Sequence, residues 1–231
     1  TWTAQNASVV ANVAVAPDGT TTMDRLVVTT ANGNHNAYQQ PTITSGANYT
    51  ASVYIKDDGA GFGGINFGAN VGISVVADLS TGLVTDTKVG AGAAIVATGC
   101  EDVGNGIYRV WVSGNIAATQ GYTIPFVSNA AVPSAWLYGR PQYAGVLGED
   151  ILVWGAQLEL GTYPTSYIPT TTTAVLRNAD VLTVAESGAI DYTIGTFSVE
   201  ASRAHSVDTG NQSITSATSG FIVYSITGVT N

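Results

Sequence analysis

The stretch that decides the fold is WGAQLELGTYPTSYIPT, which runs from Trp154 to Thr170. Apolar and polar side chains alternate through its first half, and Pro and Thr are concentrated in its second half. Alternation with a period of two is typical of a β-strand that buries one face. The stretch carries one acidic residue, Glu159, and no Cys, His or Lys, so it does not resemble an active site. We therefore expect a strand and its exit that close a β-sandwich.

The same alternation recurs along the chain. It places Tyr108, Val110 and Val112 on one face of a predicted strand, and it does the same for the odd-numbered residues of 49–56. Further strands are predicted at 8–16, 24–30, 70–79, 93–103, 121–128 and 134–143. In the strand at 151–160 one face is predicted to carry Leu152, Trp154, Ala156, Leu158 and Leu160. Turn signals rich in Gly, Asp, Asn and Pro separate these segments, and no convincing amphipathic helix is present. The pattern predicts an all-β fold, an antiparallel β-sandwich of jelly-roll type.

The charge of the chain excludes several classes of partner. Of 231 residues, 16 are acidic and 7 are basic, which gives a formal net charge of −9. A nucleic-acid binder would show the reverse balance, because basic side chains must replace the counterions of the phosphates. No apolar run approaches the roughly 20 residues that span a bilayer. We therefore expect no nucleic-acid partner and no membrane insertion.

The sequence changes character near Thr170 and predicts three parts. Residues 1–168 form the jelly-roll domain, and 169–185 form a Thr-rich linker or closing strap. Residues 186–231 form a partial second β domain or add strands to the first one. Strands are also predicted at DVLTVAE (180–186), which overlaps the end of the linker, at GTFSVEASRA (195–204) and at least once in the final segment.

Four segments, in this order, resemble a known family: APDGTTTMDRLV (16–27), YTASVYIK (49–56), GNGIYRVWVSG (104–114) and VWGAQLELGTYPTSYIPTTTTAVLRNADVLTV (153–184). The series is similar to a carbohydrate-binding-module-like jelly roll of tailed-phage appendage proteins. The resemblance covers residues 2–185, and its last segment is the most specific. It implies that the WGAQLE strand closes the sandwich. It also implies that the chain then leads into a concanavalin- or laminin-G-like domain. The segment GTFSVEASRA is similar to the first strand of that domain.

The resemblance also implies a location and a set of partners. A member of this family belongs to the virion surface, which is extracellular, as part of a tail fibre, head fibre, spike or decoration protein. The implied partners are other virion proteins, a host-surface glycan and further copies of the chain, with a trimer typical of phage fibres and spikes. The family transfers no catalytic residues to this chain.

The residues themselves also favour a protein without catalysis. The Gly-rich run at 59–64 matches a dinucleotide fingerprint only in form, because a strand-like segment follows it instead of a helix, so a flexible hairpin loop is expected. The three acidic pairs, at 57–58, 101–102 and 149–150, are neighbours in sequence at turns or strand ends, whereas a glycosidase needs carboxylates that face each other. The histidines are His35 and His205, and Cys100 is the single cysteine, which disfavours serine-hydrolase and zinc chemistry. No cofactor is expected; a structural calcium ion, which needs only oxygen ligands, stays open.

A sugar site needs an aromatic platform and planar polar groups, and two segments contain both. The candidate residues at 134–143 and 31–39 are Trp136, Tyr138, Arg140, Gln142 and Tyr143, together with His35, Asn36 and Tyr38. Alternation would place Trp136, Tyr138 and Arg140 on one exposed face. The competing interpretation assigns Trp136 and Tyr138 to the core, Arg140 to a salt bridge and His35 to a structural or turn position. Trp111 and Trp154 are expected in the sandwich interior or in contacts between strands.

Three functions follow from these observations. The first is a non-catalytic virion appendage or decoration protein that binds a glycan of the host surface. The second is a purely structural capsid or tail protein whose sandwich mediates subunit assembly without a ligand. The third is a polysaccharide-degrading enzyme, which would require two carboxylates that face each other across a cleft.

Overall fold

The computed structural model describes residues 2–170 and 173–177, and the backbone of residues 212–213 and 225–226. Strands dominate the described residues, in which the one helical element is a short 3₁₀ helix at Ala69–Val71. The predicted all-β class is confirmed. Its physical basis is a sequence rich in Val, Thr, Ala and Gly with only 10% charged residues, a composition that favours pleated, half-buried segments over exposed helices.

The first part of the chain contains long strands and several strands of two or three residues. In chain order they are β1 (Thr3–Gln5), β2 (Ala7–Val15), β3 (Thr21–Val28), β4 (Asn32–Gly33), β5 (Asn36–Tyr38), β6 (Tyr49–Asp58), β7 (Phe62–Phe67), β8 (Ile73–Asp78), β9 (Leu83–Val89), β10 (Ala93–Asp102), β11 (Ile107–Ile116), β12 (Thr123–Ser128), β13 (Trp136–Leu137), β14 (Arg140–Pro141), β15 (Tyr143–Ala144) and β16 (Asp150–Leu160).

Two six-stranded antiparallel sheets form the sandwich. The first sheet has the order β1-β5-β12-β7-β8-β9, and the second has the order β10-β11-β6-β16-β3-β2. Two small pairs, β13 with β14 and β15 with β4, lie outside these sheets. The register between β6 and β11 runs from Tyr49 opposite Gly114 to Lys56 opposite Ile107. The predicted antiparallel β-sandwich is confirmed.

The core lies between the two sheets. From the second sheet, β6 contributes Ala51, Val53 and Ile55, all fully buried. The first sheet meets them with side chains such as Ile65 and Phe67. The alternation predicted for 49–56 and for 107–112 is confirmed, since Val110 and Val112 belong to the same cluster and Tyr108 packs against it. Each fully buried aliphatic side chain contributes roughly 1.5–3 kcal/mol, so this layer is the main source of stability.

The outer face of the second sheet is also buried. Met23, Tyr54, Ile107 and Leu152 form a second apolar cluster there, and Trp154 and Tyr167 pack against it. The cover is the segment after β16, residues 161–168, which we call the strap. It precedes the Thr-rich segment 169–185 that was predicted as a linker or closing strap. The ring centroid of Tyr167 lies 4.5 Å from that of Trp154 and 6.4 Å from that of Tyr54.

Hydrogen bonds fix the strap to the strand that precedes it. Oε1 of Gln157 accepts the backbone N–H of Ile168 at 2.9 Å. Glu159 accepts the backbone N–H of Thr165 at 2.9 Å and the hydroxyl of the same residue. Two polar side chains of β16, Gln157 and Glu159, therefore accept hydrogen bonds from the segment that follows this strand. The stretch Trp154–Thr170 both extends the second sheet and covers its outer face.

A β-bulge corrects the predicted faces of β16. Its register against β6 shifts between Trp154 and Gln157, and Gly155 there has a φ of 58°. The extra residue moves Leu152 and Trp154 to the outer face, while Ala156 and Leu158 pack against the inner core. The prediction of one continuous apolar face was wrong because a single inserted residue exchanges the two faces of a strand. Trp111 also lies on the outer face, with its ring 5.8 Å from that of Tyr163.

The Gly-rich run was predicted as a flexible hairpin loop, and the structure corrects this for its second half. Residues 62–67 form β7, which lies between β12 and β8 in the first sheet. Gly59 and Gly61 do form a turn, in which Oδ1 of Asp57 accepts both of their backbone N–H groups. Strand β9 was not predicted either, since its sequence LVTDTKV is mostly polar.

The chain divides into two compact units, Thr1–Leu176 and Arg177–Asn231. The sandwich unit thus continues past the predicted boundary at 168. Most of the predicted linker at 169–185, and the strands predicted at 180–186 and 195–204, lie outside the described residues. In the second unit, β17 (Gln212–Ser213) and β18 (Ser225–Ile226) pair antiparallel.

Substitution of Gly155 tests the bulge. Gly155→Val should lower the free energy of unfolding by about 1–3 kcal/mol, because a β-branched residue is strained at positive φ. Gly155→Asn is the control, since Asn tolerates this region, and it should cost clearly less. Chemical denaturation measures both. Equal losses for Val and Asn would contradict the bulge geometry.

Candidate functional site

The outer face of the first sheet carries the predicted site residues. Asn66 of β7 and Ser74 of β8 alternate with core side chains and therefore point away from the core. Asn36 and Tyr38 of β5 flank the core residue Ala37 and point the same way. The segment that contains β13 and β14 packs on this face, where it contacts Ser74 and Asn34.

Residues 136–141 form a tight hairpin instead of one strand. Tyr138 and Gly139 are its two turn residues, with φ values of 53° and 76°, as in a type I′ turn. Trp136 pairs with Pro141, and Leu137 pairs with Arg140. The prediction that Trp136, Tyr138 and Arg140 share one face was wrong, because the chain reverses at Tyr138. Trp136 and Arg140 occupy opposite faces of the hairpin.

Buried polar side chains anchor this hairpin. Nδ2 of Asn34 lies 3.1 Å from the carbonyl oxygen of Leu137, 3.2 Å from that of Arg140 and 2.9 Å from that of Pro141. The hydroxyl of Ser74 donates to the carbonyl of Gly139 at 2.5 Å, and Asn66 donates to Ser74 at 2.8 Å. The hairpin is therefore held on the sheet from both its arms and its tip.

His35 and Tyr143 pack against each other, and Gln142 contributes a backbone hydrogen bond at the base of the hairpin. His35 is fully buried, its Nδ1 lies 2.8 Å from the carbonyl oxygen of Asn6, and its ring centroid is 4.6 Å from that of Tyr143. Tyr143 is 8% exposed, and burial raises the pKa of its hydroxyl. The backbone N–H of Gln142 donates to the carbonyl of Ala135. These contacts match the structural interpretation of His35, and they place the ring of Tyr143 against the buried ring of His35.

Three tyrosines lie within electrostatic range of the Arg140 guanidinium: Tyr38, Tyr122 and Tyr138. The centroids of Tyr38 and Tyr122 are 5.9 Å apart, and Tyr138 is 50% exposed at the hairpin tip. We call these four residues the Arg140 cluster. Sequence reasoning missed Tyr122, because only the pairing of β12 with β5 brings it beside Tyr38.

Arg140 is 5% exposed, and burial lowers the pKa of its guanidinium to about 10. Within the described residues its Nε has no hydrogen-bond partner, and the ion pair present is Arg25 with Asp58. The competing interpretation of Arg140 as a salt-bridge residue is therefore wrong for this part of the chain. Asn36, which points outward from β5, is fully buried and likewise has an unpartnered Oδ1.

The acidic pairs serve the fold. Asp150 lies opposite Asp58 across β16 and β6, and its Oδ1 accepts the backbone N–H of Val28 at 2.8 Å. Asp58 pairs with Arg25 at 2.5 Å, and Glu101 accepts the indole N–H of Trp111 at 3.3 Å. Residues 2–170 and 173–177 contain no group of three or more His, Cys, Asp or Glu side chains that could hold a metal ion.

A cavity of about 170 Å³ lies elsewhere, and both sheets line it. Its walls include Trp2, Ala37, Leu26, Trp154 and Tyr167. Sites for drug-sized ligands occupy roughly 300–1,000 Å³, so this cavity is small for an oligosaccharide. It shares no residue with the Arg140 cluster.

Comparisons with known proteins found no matching family model and no matching curated protein. The resemblance to phage appendage proteins therefore remains an expectation from the sequence. In the described part of the chain, no helix has the length and apolar character needed to cross a membrane.

Removal of the Asn34 side chain tests the anchoring of the hairpin. Asn34→Ala should lower the free energy of unfolding by about 1–3 kcal/mol, because the carbonyls that it serves are buried. Asn115→Ala is the control, since Asn115 donates to Asn48 at an exposed position, and it should change stability by less than about 0.5 kcal/mol. Similar effects of the two substitutions would contradict the anchoring role.

The thiol of Cys100 should be unreactive in the folded protein. Burial raises its pKa to about 12, and the neighbouring Glu101 and Asp102 add to the effect. Because the thiolate is the reactive form, alkylation at pH 8 should be at least about 100-fold slower than in urea-unfolded protein. The folded rate should still rise with pH up to pH 10. Equal rates in folded and unfolded protein would contradict the burial of this side chain.

Proposed function

We propose that this chain is a non-catalytic surface protein of a phage virion, part of a fibre, spike or decoration protein, whose β-sandwich binds a host-surface glycan. The observation that carries the binding role is the exposed ring of Tyr138 on an anchored hairpin above a polar sheet face. The resemblance of the WGAQLE segment supports the virion location. Other virion proteins and further copies of the chain, in a trimer, complete the proposed assembly.

The backbone at Tyr138 supports a role in display. Type I′ turns prefer Asn or Gly at positive φ, and an ordinary residue there costs roughly 1–2 kcal/mol. Tyr138 occupies such a position with half of its surface exposed, so neither the turn nor the core accounts for its aromatic ring. A rigid, exposed ring can stack on the apolar face of a pyranose with little loss of conformational entropy.

Weak single sites suffice for attachment when many copies act together. A shallow site that stacks one sugar ring has modest affinity, and linkage of many sites on one particle raises the effective concentration of the second contact. Multivalent presentation is therefore part of the proposed mechanism.

Subunit assembly without a ligand is the second candidate, and the edge strand β2 favours it. Four valines on this strand are exposed: Val9, Val10, Val13 and Val15. An exposed apolar edge strand is a template for pairing with another chain unless it is covered. The two functions are compatible, because β2 is an edge strand of the second sheet, whereas the hairpin that carries Arg140 packs on the outer face of the first sheet.

Glycan-array binding with Tyr138→Asn tests the binding role. Asn suits the turn, so the variant should be as stable as the parent or more stable, while glycan binding should fall by roughly tenfold because the stacking ring is lost. Trp2→Ala is the control, since Trp2 is an exposed aromatic away from the hairpin and should leave glycan binding unchanged.

Two results would count against the binding role. No signal for the parent protein on any glycan would favour the purely structural alternative. Unchanged binding by Tyr138→Asn would remove the hairpin from the site.

A further inference from the structure

Arg140 carries a charge for which the described protein supplies no counter-ion. Arginine is almost never fully buried unless it is paired, because removal of a charge from water is costly. Arg140 is nevertheless 5% exposed, its Nε is unpartnered, and the ion pair among the described residues is formed by other side chains. A stable fold that retains such a charge indicates a partner that arrives from outside the fold.

Arg109 shows how this fold satisfies a buried arginine when the role is structural. It is 6% exposed, its Nη2 donates to the hydroxyl of Ser52 at 3.1 Å, and its guanidinium lies 5.3 Å from the centroid of the Tyr54 ring. Arg140 has neither kind of contact among the described residues, where the cation–ring contacts are those of Arg109 and Lys88. The Nε of Arg109 also lacks a partner, so the two residues differ in the Nη2 hydrogen bond and the ring contact, which Arg109 makes and Arg140 does not make among the described residues.

The surroundings of Arg140 define the chemistry of the missing partner. A guanidinium presents a planar fork of N–H donors that matches a carboxylate or a phosphate. Tyr38, Tyr122 and Tyr138 lie within electrostatic range of it, and the ring of Tyr138 is half-exposed. Together they offer an anion-binding fork and aromatic surface.

We infer that the Arg140 cluster binds an acidic sugar, with the guanidinium of Arg140 paired to an oxyanionic substituent, a carboxylate or a phosphate, on a ring that stacks against Tyr138. The inference rests on the proposed function, because it names the class of glycan bound at that site. The net charge of −9 makes the acidic preference a local property of Arg140, since the protein as a whole repels anions.

The experiment compares each acidic ligand with its neutral counterpart. Immobilised alginate, polygalacturonate and polysialic acid are presented beside their carboxyl-reduced forms, and a glycerol-phosphate teichoic acid represents the phosphate source. Binding of the full chain is measured at 150 mM salt, where long-range repulsion is largely screened. The parent should bind at least one acidic polymer about tenfold or more tightly than its reduced form.

Arg140→Met removes the charge and keeps most of the side-chain volume. It should abolish the acidic preference and leave the melting temperature equal or higher, because a buried unpaired charge is removed. Arg140→Lys, which keeps the charge without the fork, should retain only part of the preference. Arg109→Met is the matched control, and it should keep the acidic preference while it lowers the melting temperature.

The outcomes separate this inference from the proposed function. If the parent bound none of the polymers, both the acidic-sugar assignment and the proposed glycan binding would be contradicted. Equal binding to acidic and reduced polymers would overturn the acidic-sugar assignment and leave glycan binding in place. An acidic preference that survives Arg140→Met, or a marked loss of stability in that variant, would show that Arg140 is structural. Selective binding of teichoic acid would assign the phosphate, and selective binding of a polyuronate or polysialic acid would assign the carboxylate.

Discussion

Burial of strand β6 on both faces is the constraint on which the rest of the structure depends. Its inner face, Ala51, Val53 and Ile55, is covered by the first sheet, as in any sandwich. Its outer face, Thr50, Ser52 and Tyr54, is buried too. The hydroxyl groups of Thr50 and Ser52 therefore need hydrogen-bond partners there. The strap supplies one when Thr50 donates to the carbonyl of Gly161 at 3.0 Å, and Arg109 supplies another by donating to Ser52. The strap after β16 is therefore a structural part of the sandwich.

The first sheet solves the same problem with a different cover. Its outer face is polar at Asn66 and Ser74, and these residues hold the turn of the 136–141 hairpin. A hairpin is short and closed by its own pairing, so it covers the sheet at a few points and presents its tip to solvent. This difference accounts for the position of the candidate site. The strap seals its sheet with aromatic packing, whereas the hairpin leaves Tyr138 exposed and, within the described residues, leaves the Nε of Arg140 without a hydrogen-bond partner.

The sequence predicted the class of fold because alternation over long strands is a strong signal. It held for 49–56 and 107–112, where no residue is inserted. It failed where one residue changes the phase, at Gly155 in β16 and at Tyr138–Gly139 in the hairpin, because period-two reasoning assumes an unbroken strand. It also missed β7, whose glycines resemble a loop although the strand lies inside the sheet.

The candidate site was predicted in composition and not in arrangement. Tyr38, Tyr138 and Arg140 were named from the sequence, and the structure places both tyrosines within electrostatic range of Arg140. His35, Tyr143 and Trp136 were named for the same reasons of residue type, yet the first two pack against each other and the third lies on the other face of the hairpin. Tyr122 and the unpartnered state of Arg140 depend on contacts between distant strands, which no local pattern encodes.

Residue-resolved amide hydrogen exchange on the folded chain tests most directly whether both outer covers are fixed parts of the sandwich. The informative amides are those of Gln142 beside the hairpin, which bonds to Ala135, and of Thr165 and Ile168 in the strap, which bond to Glu159 and Gln157. We expect all three to be protected by at least about 100-fold relative to an unstructured peptide, because the two strap bonds break only when the strap leaves β16 and the Gln142 bond breaks only when the base of the hairpin opens. Unprotected rates at these amides, with full protection of β6, would contradict the account and leave an open sandwich without a rigid binding surface.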